Sequence, residues 1–169
     1  MKRLSLILFA GLILQSCAVK PPMKPMINDI TTDPYNPPQY RALAKLPANK
    51  GRDMRYPKKN IAVQEKEYPD VAPLRSKFAP DQTFKCLKEL GLSMSRWELI
   101  AEDPANYTLE FVATTLLMRY KDDIIIQVTP EQTGSTVHMR SKSRAGLGDL
   151  GANADRIRGF FQKFREIKS

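Results

Sequence analysis

The sequence predicts an α+β domain in two layers: a four-stranded antiparallel meander packed against two helices, in the order helix, four strands, helix, behind a proline-rich extended tether. Three observations predict it. Residues 97–143 hold four consecutive strand-like runs with short connections, the pattern of a meander rather than of βαβ units. Apolar residues at helical spacing flank these runs over 80–94 and 149–167. Ten of the 13 prolines lie between Pro21 and Pro73, a density that neither a helix nor a central strand tolerates.

Taken in order, residues 17–67 read as the tether. A fully polyproline-like chain rises about 3.1 Å per residue, which sets an upper reach on the order of 150 Å. Its apolar residues, among them Tyr40, Leu43, Met54 and Tyr56, leave open whether part of it lies across the folded domain. The globular unit is expected over 68–169, with Tyr68–Leu74 as an extended lead-in. Pro80-Asp81 opens a helix whose Phe84, Leu87, Leu90 and Met94 share a face, ending near Gly91. Trp97–Glu102 alternates, and Asp103-Pro104-Ala105-Asn106 has proline where a type I turn prefers it. Tyr107–Thr115 places Tyr107, Leu109, Phe111 and Ala113 on one side. Asp122–Thr129 carries the β-branched run Ile124-Ile125-Ile126, and Ser135–Ser143 is the fourth strand. A helix over Asp149–Ile167 closes the chain, with Leu150, Ile157, Phe160, Phe161, Phe164 and Ile167 as its apolar stripe.

Composition narrows the chemistry. At 169 residues the chain has room for one ordinary domain plus tails, not a two-domain enzyme. Two cysteines and one histidine leave no disulfide scaffold, four-thiolate zinc site or multi-histidine centre. A net charge of +9 favours acidic partners. No cofactor and no metal are expected.

The N-terminus reads as an address. Met1-Lys2-Arg3 is a positive start, and Leu4–Leu14 is an uncharged run too short to span a bilayer. Leu14-Gln15-Ser16-Cys17 follows, and this tetrapeptide resembles the bacterial lipobox. The resemblance implies a lipoprotein signal over 1–16, cleavage before Cys17, and acylation of Cys17 as residue one of the mature chain. Each buried methylene contributes about 0.8 kcal/mol, so two or three acyl chains hold firmly where one does not. Ala18 stands where an aspartate would, by the same resemblance, argue for inner-membrane retention; outer-membrane delivery facing the periplasm is expected. Export also removes nucleic acid as a partner.

The densest signal is Arg140-Ser141-Lys142-Ser143-Arg144-Ala145-Gly146-Leu147-Gly148-Asp149-Leu150-Gly151-Ala152-Asn153, running on to Arg156-Ile157. Its Gly146-x-Gly148-x-x-Gly151 spacing matches a dinucleotide fingerprint. That fingerprint requires a parallel βαβ unit with an acidic residue about twenty positions on, and here no second strand follows the helix. The stretch instead resembles an uncharacterised bacterial and plastid family known as domain of unknown function 1499. Trp97-Glu98-Leu99-Ile100, Val112-Ala113-Thr114-Thr115 and Lys121-Asp122-Asp123-Ile124 match its upstream features, and the resemblance covers roughly 68–167. Gly148 departs from the pattern, since members often carry serine there. The family implies a fold and no activity.

Two physical readings of the signature remain open. In one it is a corner clamp: Asp149 caps the final helix, Gly146 and Gly151 take turn conformations, and Arg140 or Arg144 pairs with Asp122, Asp123 or Asp149. In the other it is an anion site, in which helix N–H groups near Gly151, the Ser141 and Ser143 hydroxyls, Asn153 and the Arg144 and Arg156 guanidinium groups receive a phosphate or carboxylate. Asp149 competes for the same donors.

No catalytic set emerges. Asp122 and Asp123 are adjacent on a strand and point to opposite faces, so they are expected as salt-bridge partners rather than a metal or proton pair. His138 has no base or orienting carboxylate arranged around it, and Cys86 reads as a small hydrophobe in a helix. The expected function is therefore a non-enzymatic, lipid-anchored envelope protein that binds anionic lipid, acidic glycan or another envelope protein. The alternative is a carrier of an apolar ligand, with a cleft lined by Trp97, Phe111 and Phe160 between sheet and helix. A hydrolase using Ser141 or Ser143 ranks last.

Overall fold

The computed structural model describes residues 27–168. The signal sequence 1–16, Cys17 and the first part of the expected tether lie outside the described residues. The strands are β1 (Asp29–Thr31), β2 (Leu74–Ser76), β3 (Trp97–Asp103), β4 (Thr108–Thr114), β5 (Lys121–Pro130) and β6 (Ser135–Ser143). The helices are α1 (Ile61–Glu67), α2 (Pro80–Ser93) and α3 (Ala152–Lys168), with short 3-10 turns at Leu43–Lys45, Pro47–Asn49, Lys58–Asn60 and Pro104–Asn106.

β3, β4, β5 and β6 lie side by side in chain order, all antiparallel. The sheet has six strands rather than four, because β1 and β2 both add to the free edge of β6. β1 runs along the C-terminal half of β6, with Ile30 opposite Ser141, and β2 along the N-terminal half, with Leu74 opposite Val137. Each has only three residues, too few to display an alternation in sequence.

α2 and α3 cover one face of the sheet. Leu109, Phe111, Ile124, Ile126 and Met139 point into that layer and meet Leu87, Ile157 and Phe160 from the helices, all fully buried. Side chains of this size contribute about 1.5–3 kcal/mol each on burial. Helix α2 lies so close to the sheet that a Cβ on Gly91 would stand 2.4 Å from Phe111 Cζ. Glycine is what permits that approach.

Three local expectations are corrected. Helix α2 continues past Gly91 to Ser93. The turn after β3 is a 3-10 turn in which the Asp103 carboxylate accepts from Asn106 N, and Tyr107 leaves it at φ +48°, so β4 starts at Thr108. Helix α3 starts at Ala152 rather than Asp149, and Leu150 and Ile167, expected in its apolar stripe, are 89% and 58% exposed.

The larger correction concerns the tether. Residues 29–67 belong to the folded unit, which therefore begins near Asp29 and not at Tyr68. The segment lies across the second face of the sheet, where Tyr40 and Leu43 pack on Val112 and Ile125, with Leu46, Met54 and Ile100 around them. This makes a third layer beside the expected two. Between β1 and α1 its prolines limit regular structure to short 3-10 turns, but its backbone is satisfied by side chains of the folded unit, as burial demands. The buried Glu110 carboxylate accepts three successive amides, from Arg41, Ala42 and Leu43, at 3.0, 2.9 and 2.7 Å. The Gln64 amide of α1 bonds both backbone groups of Thr31 in β1, accepting at 3.0 Å and donating at 2.5 Å.

Candidate functional site: a buried charge layer and a corner clamp

Alternation along β4, β5 and β6 sends two polar sets to opposite faces of the sheet. Asp122, Ser141 and Ser143 point toward α3. Glu110, Asp123, Arg140 and Lys142 point under the N-terminal segment, where each is nearly or wholly buried.

At the centre of the second set, Arg140 is completely buried and makes a two-pronged pair with Asp29, Nε to Oδ1 and Nη2 to Oδ2, both at 2.8 Å. Its remaining donors reach the carbonyls of Pro38 at 3.3 Å and Met54 at 3.0 Å. The guanidinium lies 4.7 Å from the Tyr40 ring centroid and 5.6 Å from that of Tyr56, a cation–π arrangement. Lys142 Nζ donates to Asp29 Oδ2 at 2.9 Å. Burial holds the Tyr40 hydroxyl well above its ordinary pKa, so it stays protonated, and it donates to the Asp123 carbonyl at 2.9 Å.

Asp123 gathers a second group. Arg144 donates to its Oδ1 through Nε at 2.9 Å and Nη2 at 2.6 Å, while Arg52 and Asn49 both reach Oδ2 at 3.1 Å. Arg52 also donates to the Ser143 carbonyl at 2.7 Å.

On the helix face, Asn153 ties the start of α3 to β6 and to the chain before β1. Its fully buried side chain accepts from Ser141 Oγ at 2.6 Å, and donates to Ser143 Oγ at 3.0 Å and the Asn28 carbonyl at 3.2 Å. Arg156 donates to Asn153 Oδ1, to Ser141 Oγ at 2.9 Å and to Asp122 Oδ2 at 2.5 Å. The Asp149 carboxylate accepts from Gly151 N at 2.9 Å and Asn153 N at 2.8 Å. Gly146 and Gly151 both sit at positive φ, +82° and +91°, which glycine adopts without steric cost.

The sequence-derived residues thus divide. Arg144 and Asp123 meet, as do Arg156 and Asp122, and Asp149 meets the amides ahead of α3. Arg140 does not pair with Asp122, Asp123 or Asp149; the pleat and register direct it to Asp29, 111 positions away. Asp29, Glu110, Asn49 and Arg52 join these residues only in the fold. Their one trace in the sequence is that Glu110 shares a strand face with the apolar Val112, an odd neighbour for a solvated carboxylate.

For an incoming anion this arrangement leaves little. The amides of Gly151 and Asn153 hold Asp149, and the Arg144 and Arg156 forks hold Asp123 and Asp122. His138 is half-buried on the N-terminal-segment side of β6, where burial lowers its pKa, and its Nδ1 has no hydrogen-bond partner among the described residues. Cys86 is a free thiol packed against the core. No group of three metal-ligating side chains occurs among the described residues. The rings proposed for a ligand cleft fill it themselves: Trp97 stacks on Phe160 at 5.2 Å and meets Phe111 at 5.5 Å.

Fold and site together define an α+β domain organised around a buried arginine–carboxylate layer. The chain belongs to the family described as Protein of unknown function (DUF1499), whose model matches residues 29–164. That match begins at the first residue of β1. No curated protein matches the sequence. One similar solved structure is the crystal structure of the di-domain ARO/CYC BexL from the BE-7585A biosynthetic pathway, at 13% identity and a TM-score of 0.38. The likeness covers 56% of this chain and 41% of that one, so this chain spans less than half of its length.

Proposed function

We propose that this chain is a lipid-anchored, periplasm-facing envelope protein whose domain is a non-catalytic binding or accessory module. The observation that carries the reading is the N-terminal order of charge, short apolar run and Leu14-Gln15-Ser16-Cys17. Two structural features support it. The polar groups of the densest sequence signature are engaged within the chain, which suits a scaffold better than a reaction centre. No helix among the described residues is long and apolar enough to cross a membrane, so acyl chains on Cys17 would supply the attachment.

Intact-mass analysis of the protein extracted from its native membrane tests this. The expected species lacks residues 1–16 and carries acyl groups on Cys17, and Cys17→Ser accumulates at the precursor mass. Retention of the first sixteen residues, or an unmodified sulfur, would overturn it.

A further inference from the structure

We propose that the end of the sheet formed by the β4–β5 hairpin and the β6–α3 loop is a membrane-docking surface that inserts into the headgroup region of an anionic bilayer. The proposal rests on the lipid-anchor reading and adds to it the face the domain turns toward the membrane.

Six large apolar side chains project at this end. Leu116, Leu117, Met118 and Tyr120 lie in or beside the hairpin tip and are 65%, 87%, 65% and 49% exposed; Leu147 and Leu150 in the next loop are 81% and 89% exposed. The two loops are neighbours, since Asp122 pairs with Ser143 and Arg144 N donates to the Lys121 carbonyl at 3.0 Å. Isolated surface leucines are commonplace, but apolar tips gathered at one end of a sheet mark an interaction site. Leu150 holds its exposed position at φ +55°, a conformation that costs a non-glycine residue energy.

Charge and chain geometry choose the occupant. Arg96, Arg119 and Lys121 border the tips, and none has a carboxylate within ion-pair distance among the described residues. Apolar tips beside cations that no carboxylate neutralises suit an interface with anionic headgroups, with Tyr120 at the depth aromatic residues favour. The chain also enters the domain here: Ser143 N donates to the Asn28 carbonyl at 2.8 Å, and Asn28 Nδ2 to the Gly146 carbonyl at 2.5 Å. Only residues 18–27 separate Asn28 from Cys17, a span of at most about 40 Å. They include Lys20 and Lys24 and no acidic residue. The opposite end of the sheet, at the 131–134 turn, lies a further ~30 Å away along β5 and β6.

Depth-dependent quenching on the full, acylated chain tests the proposal. In a Cys86→Ser background, a polarity-sensitive fluorophore is placed on Leu117→Cys, Leu147→Cys or Gln132→Cys. Each protein is reconstituted into phosphatidylcholine–phosphatidylglycerol vesicles carrying a lipid-borne quencher, after its acylation has been read by mass. Quenching at 117 and 147 is expected to exceed that at 132 by about threefold or more, and Arg119→Glu with Lys121→Glu should weaken it. Equal quenching at all three sites, or none, on an acylated chain would overturn the docking and leave the anchor standing. Shielding of 117 and 147 only when other envelope proteins are added would overturn it in favour of a protein interface. A chain without acyl groups removes the anchor and the docking together.

Discussion

Replacing Asp29 by asparagine removes the only carboxylate bonded to Arg140 and Lys142 among the described residues. Three charge-assisted bonds, at 2.8, 2.8 and 2.9 Å, are lost or weakened. Two buried cations then face each other without a counter-charge. Breaking a buried pair from one side costs about 3–5 kcal/mol, a large share of the 5–15 kcal/mol that holds a typical domain. Arg140→Met should cost less, about 2–3 kcal/mol, because Lys142 still neutralises Asp29 and the methionine fills part of the space between Tyr40 and Tyr56. Urea titration followed through Trp97, which is half-buried against the core and in ring contact with Phe111 and Phe160, measures both, with the midpoint moving at constant slope. An Asp29→Asn loss below about 1 kcal/mol, the range of a surface change, would refute the reasoning. So would Arg140→Met proving the more damaging of the two.

Glu110→Gln should cost about 3 kcal/mol in the same titration, because an amide cannot accept all three backbone N–H groups that the carboxylate holds. Gly134→Ala should lower the melting temperature, since its Cβ would meet the Ser76 carbonyl at 2.1 Å and its φ is +87°; an unchanged melt would contradict the β2–β6 contact. The His138 pKa lies below its unfolded value because of burial, opposed in part by Asp33 and Glu131. As pH falls below about 6.5, the unfolded chain takes up the proton first and stability drops until the folded pKa is passed. His138→Gln should flatten that part of the melting-temperature profile, and an unaltered profile would assign the loss to other groups.

Much of the fold could be read from periodicity because the strands that face α2 and α3 alternate cleanly. β6 begins and ends where the pattern placed it, and α2 opens at its proline. What the pattern could not convey is which kind of polar face the sheet carries. Glu110 sits between the apolar Leu109 and Phe111, and Arg140 and Lys142 lie in a polar run, as solvated side chains would, and a one-dimensional pattern cannot tell water from a proline-rich strap. The strap was hidden for the same reason: its contacts are single side chains reaching distant backbone, as in Glu110 with residues 41–43, and these leave no period. At the site, the local partnerships were within reach. Asp149 stands just ahead of α3, and Arg144 directly follows β6, the strand paired with that of Asp123. The long-range pair of Arg140 with Asp29 was not within reach, since nothing near Asp-Ile-Thr marks it as a strand. The consequence for function is geometric: a tether of about fifty residues becomes a linker of about ten, which holds one end of the domain close to its proposed anchor.

Native-state hydrogen exchange on the full chain tests the claim beneath all of this, that residues 29–67 fold as one unit with the sheet. The amides of Thr31, Ala42 and Leu43 should be protected to nearly the same free energy as those at the centre of β5. Exchange there about a hundredfold faster than in β5, with β5 still protected, would show a strap that opens on its own and would contradict the account.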